Sequence, residues 1–378
     1  MTNLKRQNHD KYMMLAVLPL ILCGTVLYGA RVLLLNVVAA VVARVCDVIV
    51  SMVRRQDLVS DDNSSVLAAI IFCLMLPVNV PLYVVIIPVI LAITVGKHLF
   101  GGKDVYPFNL SALALCCAAV NWPDQVFSAV VPFTKVEFFS GKAVSATIST
   151  ASMLKDGAVP SYDIYQLMLG NYPASMGADF VIVIVALGIF LLCKNRITWH
   201  VPVTFLATCG AIAFLFPRIY GFSHFDSLTL EMLNGQVFFI ALFMLSDPTT
   251  TPRTNKAKIL FGLLCGVMGM IFRYFGSFEI GTCFALLIVN TMDGYIDRMV
   301  SRRDRVKVPH TAAAHKAEAE TETHTAQPKR RGAMELISEA EDTLDDVIYS
   351  TRTIDINEVL RMEEQNKKQR KAGKKDEK

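Results

Sequence analysis

The chain has 378 residues, 53% of them hydrophobic, and a formal net charge of +4 from 37 basic and 33 acidic residues. Mean hydropathy is +0.44 although everything beyond about residue 298 is strongly polar, so the body before it is more apolar still. A water-soluble globule of this composition would have little polar surface to present, which excludes a soluble enzyme, and a small charge split between short basic loops and a mixed tail gives no footprint for nucleic acid.

Residues 1–12 are short and basic, and no small-residue cleavage site follows the first apolar stretch. They read as a cytoplasmic N-terminus followed by a retained anchor rather than a signal peptide. Apolar windows then recur near 13–30, 32–53, 65–80, 82–98, 108–122, 178–194, 199–217, 234–246, 257–273 and 279–297. The fold class expected is an all-α polytopic membrane protein with about ten spanning helices, the membrane body covering 13–297. The third, fifth and eighth windows are shorter than a straight span requires. Broken or re-entrant segments are tolerated only where protein covers their backbone.

Arg54–Arg55, Lys97, Lys103, Lys194, Arg196, Arg253, Lys256, Lys258 and the Arg302–Arg303 tail put the basic loops on the cytoplasmic side, which places both termini inside. The segment at about 121–177 then faces outward. Two sets of five windows imply an inverted repeat. Leu76-Pro77-Val78-Asn79-Val80-Pro81 between windows three and four parallels Ser246-Asp247-Pro248 through Pro252 between windows eight and nine, and Phe100-Gly101 parallels Phe275-Gly276. Residues 298–378 form a cytoplasmic charged tail, linker-like over 312–331, with a helix expected at 333–368 from the spacing of Leu336, Ile337, Leu344, Val347 and Ile348. The nine cysteines all lie in or beside apolar windows without CxxC spacing, so they read as packing residues and no metal site is expected.

Chemistry is concentrated in the outer segment, at Gly141-Lys142-Ala143-Val144-Ser145-Ala146-Thr147. An exposed hydroxyl with small neighbours is what a flavin transferase needs to close over its target. On its own, the run also fits an ordinary polar loop. Asp247-Pro248 with Thr249 to Thr251 and Pro252 suggests an irregular turn, read either as the N-cap of the ninth helix or as part of a site. Among charged residues in or near the windows, Arg31, Arg44, Asp47, Arg273 and Glu279 are costly in hydrocarbon. Arg44 with Asp47 reads as an ion pair on one helix face or an interfacial pair, or else as part of an ion path, and His98 and His200 as interfacial.

Four stretches together resemble the RnfD/NqrB family, membrane subunits of ion-translocating electron-transport complexes, with RnfD the nearer of the two. They are Phe100-Gly101-Gly102 with Pro107-Phe108-Asn109, Ser145-Ala146-Thr147, Phe243 through Pro252, and Arg273 through Asp297. This sequence differs from the family pattern at Gly141, Val144 and Ile148 around the threonine, and at Leu110 after Asn109. The resemblance implies a urea-channel-like body in the inner membrane, FMN joined covalently to Thr147 beside Ser145 and Ala146, and Asn109, Asp247 and Thr249 as a scaffold or a second, non-covalent flavin site. It also implies partner subunits of an Rnf-type complex, a flavin transferase for maturation, and electron flow from ferredoxin to NAD coupled to Na⁺ or H⁺ export. The chain lacks both a Gly-x-Gly-x-x-Gly turn and a cysteine cluster, so nicotinamide and iron–sulfur chemistry would fall to those partners. A small-solute channel, and a structural component without flavin, remain as alternative readings.

Overall fold

The computed structural model describes residues 3–306 apart from 56–61, 103–104, 135, 140–145, 156, 159–161, 219–220, 222, 235 and 277–279; side chains of residues 3–8, 146, 155 and 301–306 are likewise not described. The helix expected at 333–368, Glu279 and the residues Gly141 to Ser145 therefore lie outside the described residues.

The chain opens with two long helices, α1 (Asn3–Tyr28) and α2 (Arg31–Arg54). Gly29 turns the chain between them at φ +85°, where a side chain would be strained. Next come α3 (Ser64–Leu74), α4 (Leu82–Leu91) continued by a π-helical turn at Ala92–His98, and α5 (Leu110–Asn121). The outer segment folds as α6 (Pro123–Val126), β1 (Ser128–Val130), β2 (Ala146–Ile148), α7 (Thr150–Lys155) and α8 (Ile164–Leu169). The second half holds α9 (Val181–Cys193), α10 (His200–Leu215), α11 (His224–Leu233), α12 (Val237–Phe239) with a π-helical turn at Ile240–Met244, α13 (Asn255–Phe275), α14 (Gly281–Thr291) and α15 (Asp293–Val306).

His9–Tyr28, Arg31–Arg54 and Asn255–Phe275 are long and apolar enough to cross a membrane. A fourth crossing would be the broken pair His224–Leu233 and Val237–Met244, inclined at 62°, and six shorter apolar helices complete the body. Leu15, Leu18, Leu22 and Val26 on α1, and Val37, Val41, Val45 and Ile49 on α2, point outward. At intervals of three or four residues they form apolar stripes that only a lipid-like solvent would accept. The protein is a mostly helical membrane protein.

The strict all-α expectation is corrected by the β1–β2 hairpin, in which Ser128 pairs with Ile148, Ala129 with Thr147 and Val130 with Ala146. Three residues per strand, set among small and polar side chains, give no alternating run long enough to read. α15 likewise crosses the expected boundary at 297/298: Ile296 is buried, and Asp297 accepts bonds from the amides of Arg253 (2.9 Å) and Thr254 (3.4 Å).

The short helices show how broken segments are tolerated. α3 has 11 residues, about 16 Å of helix at 1.5 Å per residue, roughly half the hydrocarbon thickness. Its carbonyl end is satisfied by the outer segment, where Gly177 N donates to Leu74 O (3.0 Å) and Met176 N to Leu76 O (2.9 Å), and by the second half, where Gln236 Nε2 donates to Met75 O (3.0 Å). Arg31 continues the cover, donating from Nε to Val78 O (2.8 Å), from Nη2 to Val80 O (2.7 Å), and from Nη1 to the carbonyls of Glu137 and Phe138. In the second half, α13 lies against α10, with Gly262 and Gly266 facing Thr204 and Thr208 where a Cβ would collide.

Candidate functional site

Thr147 occupies the middle of β2, opposite Ala129. The hairpin is held to the body by an antiparallel bridge from Val130 to Ala174 and by Thr150, whose amide and hydroxyl both meet Pro173 O (3.3 and 3.2 Å). The Thr147 hydroxyl is half-buried and donates to the carbonyl of its neighbour Ile148 at 3.1 Å. It borders an open cleft of about 450 Å³ shared with Pro123, Asp124, Phe127, Ser128 and Ser152. That volume is within the range of cofactor sites.

The neighbouring hydroxyls are less available. Thr150 is buried on Pro173 O, and Ser149 Oγ accepts the Ser152 amide (3.1 Å) at the start of α7. Ser145 is outside the described residues, and Ala146 is described by its backbone alone. The hydroxyl, its partial exposure and the space beside it suit a phosphoester attachment. Phe127 offers an aromatic face, whereas Asp124 brings a like charge to the same cleft.

Asn109, Asp247 and Thr249 come together, but away from Thr147. Asn109 starts α5 and the hairpin follows its far end, after 12 residues or about 18 Å of helix. Asn109 Oδ1 caps α5 through Ala112 N (3.0 Å) and its Nδ2 donates to Met244 O (3.0 Å). Asp247 accepts the Thr249 amide (2.9 Å) and the Tyr106 hydroxyl (3.3 Å), and Thr249 Oγ1 is 3.2 Å from Tyr106. With its side-chain amide turned to match its neighbours, Asn290 accepts from Asn109 N and donates to Thr250 O. Asp247 therefore shapes a turn, and the N-cap of α13 is Thr254. These groups largely satisfy one another around a cavity of about 30 Å³. Tyr106 had no signal in the sequence beyond its proximity to a recognised motif, and Asn290, though inside the Arg273–Asp297 stretch, was given no role.

Two buried charge clusters correct the pairings read from the sequence. Arg44 does not meet Asp47: it donates to Asp62 O (3.1 Å) and Asn63 Oδ1 (2.7 Å). Asp47 instead accepts from Ser65 Oγ (2.9 Å) and lies 2.9 Å from His98 Nε2. Lys97, 1% exposed, reaches Asp62 (2.8 Å), Asp47 (3.4 Å) and Ser65 (2.6 Å). His98 is thus part of a buried network and not interfacial. The π-helical turn brings these consecutive side chains inward, which a 3.6-residue reading misses. Burial opposes ionisation of Asp62, but the Lys97 ammonium and the Ser64 hydrogen bonds outweigh it and hold the carboxyl at about 2.

In the other cluster Glu231 of α11 joins Arg273 (2.8 Å) and Arg218 (3.3 Å), and Arg273 also donates to Asn234 O (3.1 Å). Beside it, buried Asp179 accepts from Tyr172 OH (3.2 Å) and from the amide (3.1 Å) and hydroxyl of Ser175.

A profile of the NQR2, RnfD, RnfE family matches residues 3–305. Proteins of Salmonella paratyphi A and Salmonella typhi, each named as a subunit of an ion-translocating oxidoreductase complex, are 30% identical over 321 residues, covering 75% of this chain and 90% of the relative. The match spans both halves of the helical body, the hairpin and the Asn109–Asp247 cluster, and the chain belongs to the NQR2, RnfD, RnfE family.

Proposed function

We propose that this chain is the flavin-carrying membrane component of an ion-translocating electron-transport complex of the Rnf type, with FMN joined to Thr147 as a phosphoester. The carrying observation is the half-buried Thr147 hydroxyl on β2, bordering an open cleft and bonded to its adjacent carbonyl. Relatives named as part of an ion-translocating oxidoreductase complex, and matched over 90% of their length, support the assignment to such a complex.

A flavin accepts and returns one or two electrons, so it would link one-electron carriers in the partner subunits. The chain's own residues attach and position. Thr147 Oγ1 would displace the leaving phosphate of a flavin pyrophosphate supplied by the transferase, its proton departing with that group as the ester bond replaces the pyrophosphate bond, and pairing with Ala129 fixes its backbone. Thr150 and Val130 tie the hairpin to the body through Pro173 and Ala174. Asn109, Tyr106, Asp247 and Asn290 brace α5 against the Met244–Thr250 turn; their mutual satisfaction supports a scaffold there more than a second flavin.

In this reading the short helices count as crossings. Ten crossings in two inverted sets of five put both termini in the cytoplasm and the hairpin outside an inner membrane. Electrons pass from ferredoxin towards NAD, coupled to Na⁺ or H⁺ export, and a flavin transferase matures the chain.

Co-expression with a flavin transferase tests this. A fluorescent band on a denaturing gel is expected for the parent and none for Thr147→Ala. An unlabelled parent favours a structural or solute-conducting role, and fluorescence in the mutant moves the attachment elsewhere.

A further inference from the structure

On the outward, lipid-facing side of the body, an apolar groove of about 300 Å³ runs between α1 and α9. Leu15, Leu18, Pro19 and Leu22 form one wall, Leu187 and Phe190 the other. Leu15, Leu18 and Leu22 are each more than half exposed, so the groove opens sideways. Pro19 lies inside α1 and has no amide to offer Leu15 O, which interrupts the helix ladder at the groove.

Both walls lead to basic residues at the same end. Lys11 precedes Leu15, Leu18 and Leu22 at intervals of three or four residues, so all four share one face of α1. Lys194 follows Leu187 and Phe190 at the same intervals, and its amide closes α9 by donating to Phe190 O at 3.0 Å. The end of α9 meets the start of α1 there: the Tyr12 ring is 6.5 Å from the Phe190 ring, and the Arg196 guanidinium stands 4.4 Å over Tyr12. Asn195 at φ +54° turns the chain back, and His9 Nδ1 donates to Arg196 O at 2.7 Å, which pins the turn. Arg196 Nε is buried without an acceptor among the described residues. No aspartate or glutamate occurs from Val181 to Trp199, and Asp10 lines a different cavity, beside Tyr106. The groove thus ends in a cationic rim.

From Lys11 to Leu22 the helix rises about 16 Å, close to one leaflet's share of a hydrocarbon layer about 30 Å thick. An occupant must be apolar along that length and negative at one end. An acyl chain meets the first need, and a phosphate facing a guanidinium and two ammonium groups the second.

We propose that the groove between α1 and α9 holds one acyl chain of an anionic phospholipid, whose phosphate rests on Arg196, Lys11 and Lys194. Bound there, the lipid ties together the helices that open the two halves of the body.

The test uses full-length protein in detergent, titrated with dioleoyl phosphatidylglycerol or dioleoyl phosphatidylcholine, with bound lipid counted by native mass spectrometry. One phosphatidylglycerol is expected to bind saturably and more tightly than phosphatidylcholine. Arg196→Gln and Lys194→Gln should each cut that preference about fivefold, and Leu18→Trp, which fills the groove, should weaken both lipids. Equal affinity for the two lipids, or an unchanged preference in both charge variants, overturns the site. Displacement of the lipid by an equal concentration of inorganic phosphate reduces it to a surface anion contact and also overturns it. Lys194 is exposed, so Lys194→Gln carries the charge test should Arg196→Gln fail to fold. If Leu18→Trp keeps the lipid but sheds a partner subunit from the purified complex, the groove seats protein and the proposal fails.

Discussion

Arg31→Leu is the sharpest structural perturbation available. Arg31 is buried at the start of α2 and donates to four backbone carbonyls, two in the Pro77–Pro81 link and two near Phe138. The bonds to Val78 and Val80 are buried, whereas those to Glu137 and Phe138 are partly open to solvent. Water can replace the outer pair. Leaving the inner pair unpaired costs about 1–3 kcal/mol each, or about 2–6 kcal/mol in all. Arg31→Lys should fall between, because an ammonium cannot span four carbonyls as a guanidinium does. Arg44→Leu, which loses part-buried bonds to Asp62 and Asn63, should cost less than Arg31→Leu. Thermal unfolding with a thiol-reactive dye reads this directly, since Cys73 and Cys283 are buried and label on opening. An Arg31→Leu protein melting with its parent would refute the view that this side chain replaces the missing helix hydrogen bonds.

Further outcomes follow from the same geometry. Gly262→Ala places a Cβ against the Thr204 hydroxyl and 2.9 Å from the Val201 carbonyl, costing about 1–3 kcal/mol in a melt. Gly294→Ala, with open space around it, should be neutral or stabilising by up to about 1 kcal/mol. The Asp62 carboxyl lies near 2 in the folded chain against an ordinary 3.8, a depressed acid. Its stabilisation, about 2 kcal/mol, is complete above the ordinary value and lost as pH falls through the folded one. Asp62→Asn should remove that acid-side slope, and an unchanged slope would show that other carboxylates set it. A reporter fused after Thr150 should be active outside the cytoplasm; activity inside would overturn the ten-crossing reading.

Apolar windows were legible in the sequence because lipid-facing and core-facing residues are both apolar, so their lengths survive without knowledge of neighbours. The weak third and eighth windows matched helices that stop early, α3 at Leu74 and the π-helical turn at Met244. Partners were not legible. Arg44 and Asp47 sit three residues apart on α2, yet their contacts come from Asn63, Ser65 and His98, brought close by tertiary packing and a π turn. Glu231 lies on α11, a helix whose mixed composition gave no apolar window, and its pairing with Arg273 of α13 was invisible. Thr147 could be singled out only through the family resemblance, since its small neighbours alone also fit an ordinary polar loop. Its place on a strand, braced through Thr150 and Pro173, could not.

The most direct measurement is mass spectrometry of the peptide containing Thr147 from cells that express a flavin transferase. A mass increase of one FMN less one water is predicted, with fragmentation placing it on Thr147. A peptide found wholly unmodified, from cells in which a control flavoprotein is labelled, would contradict the redox role.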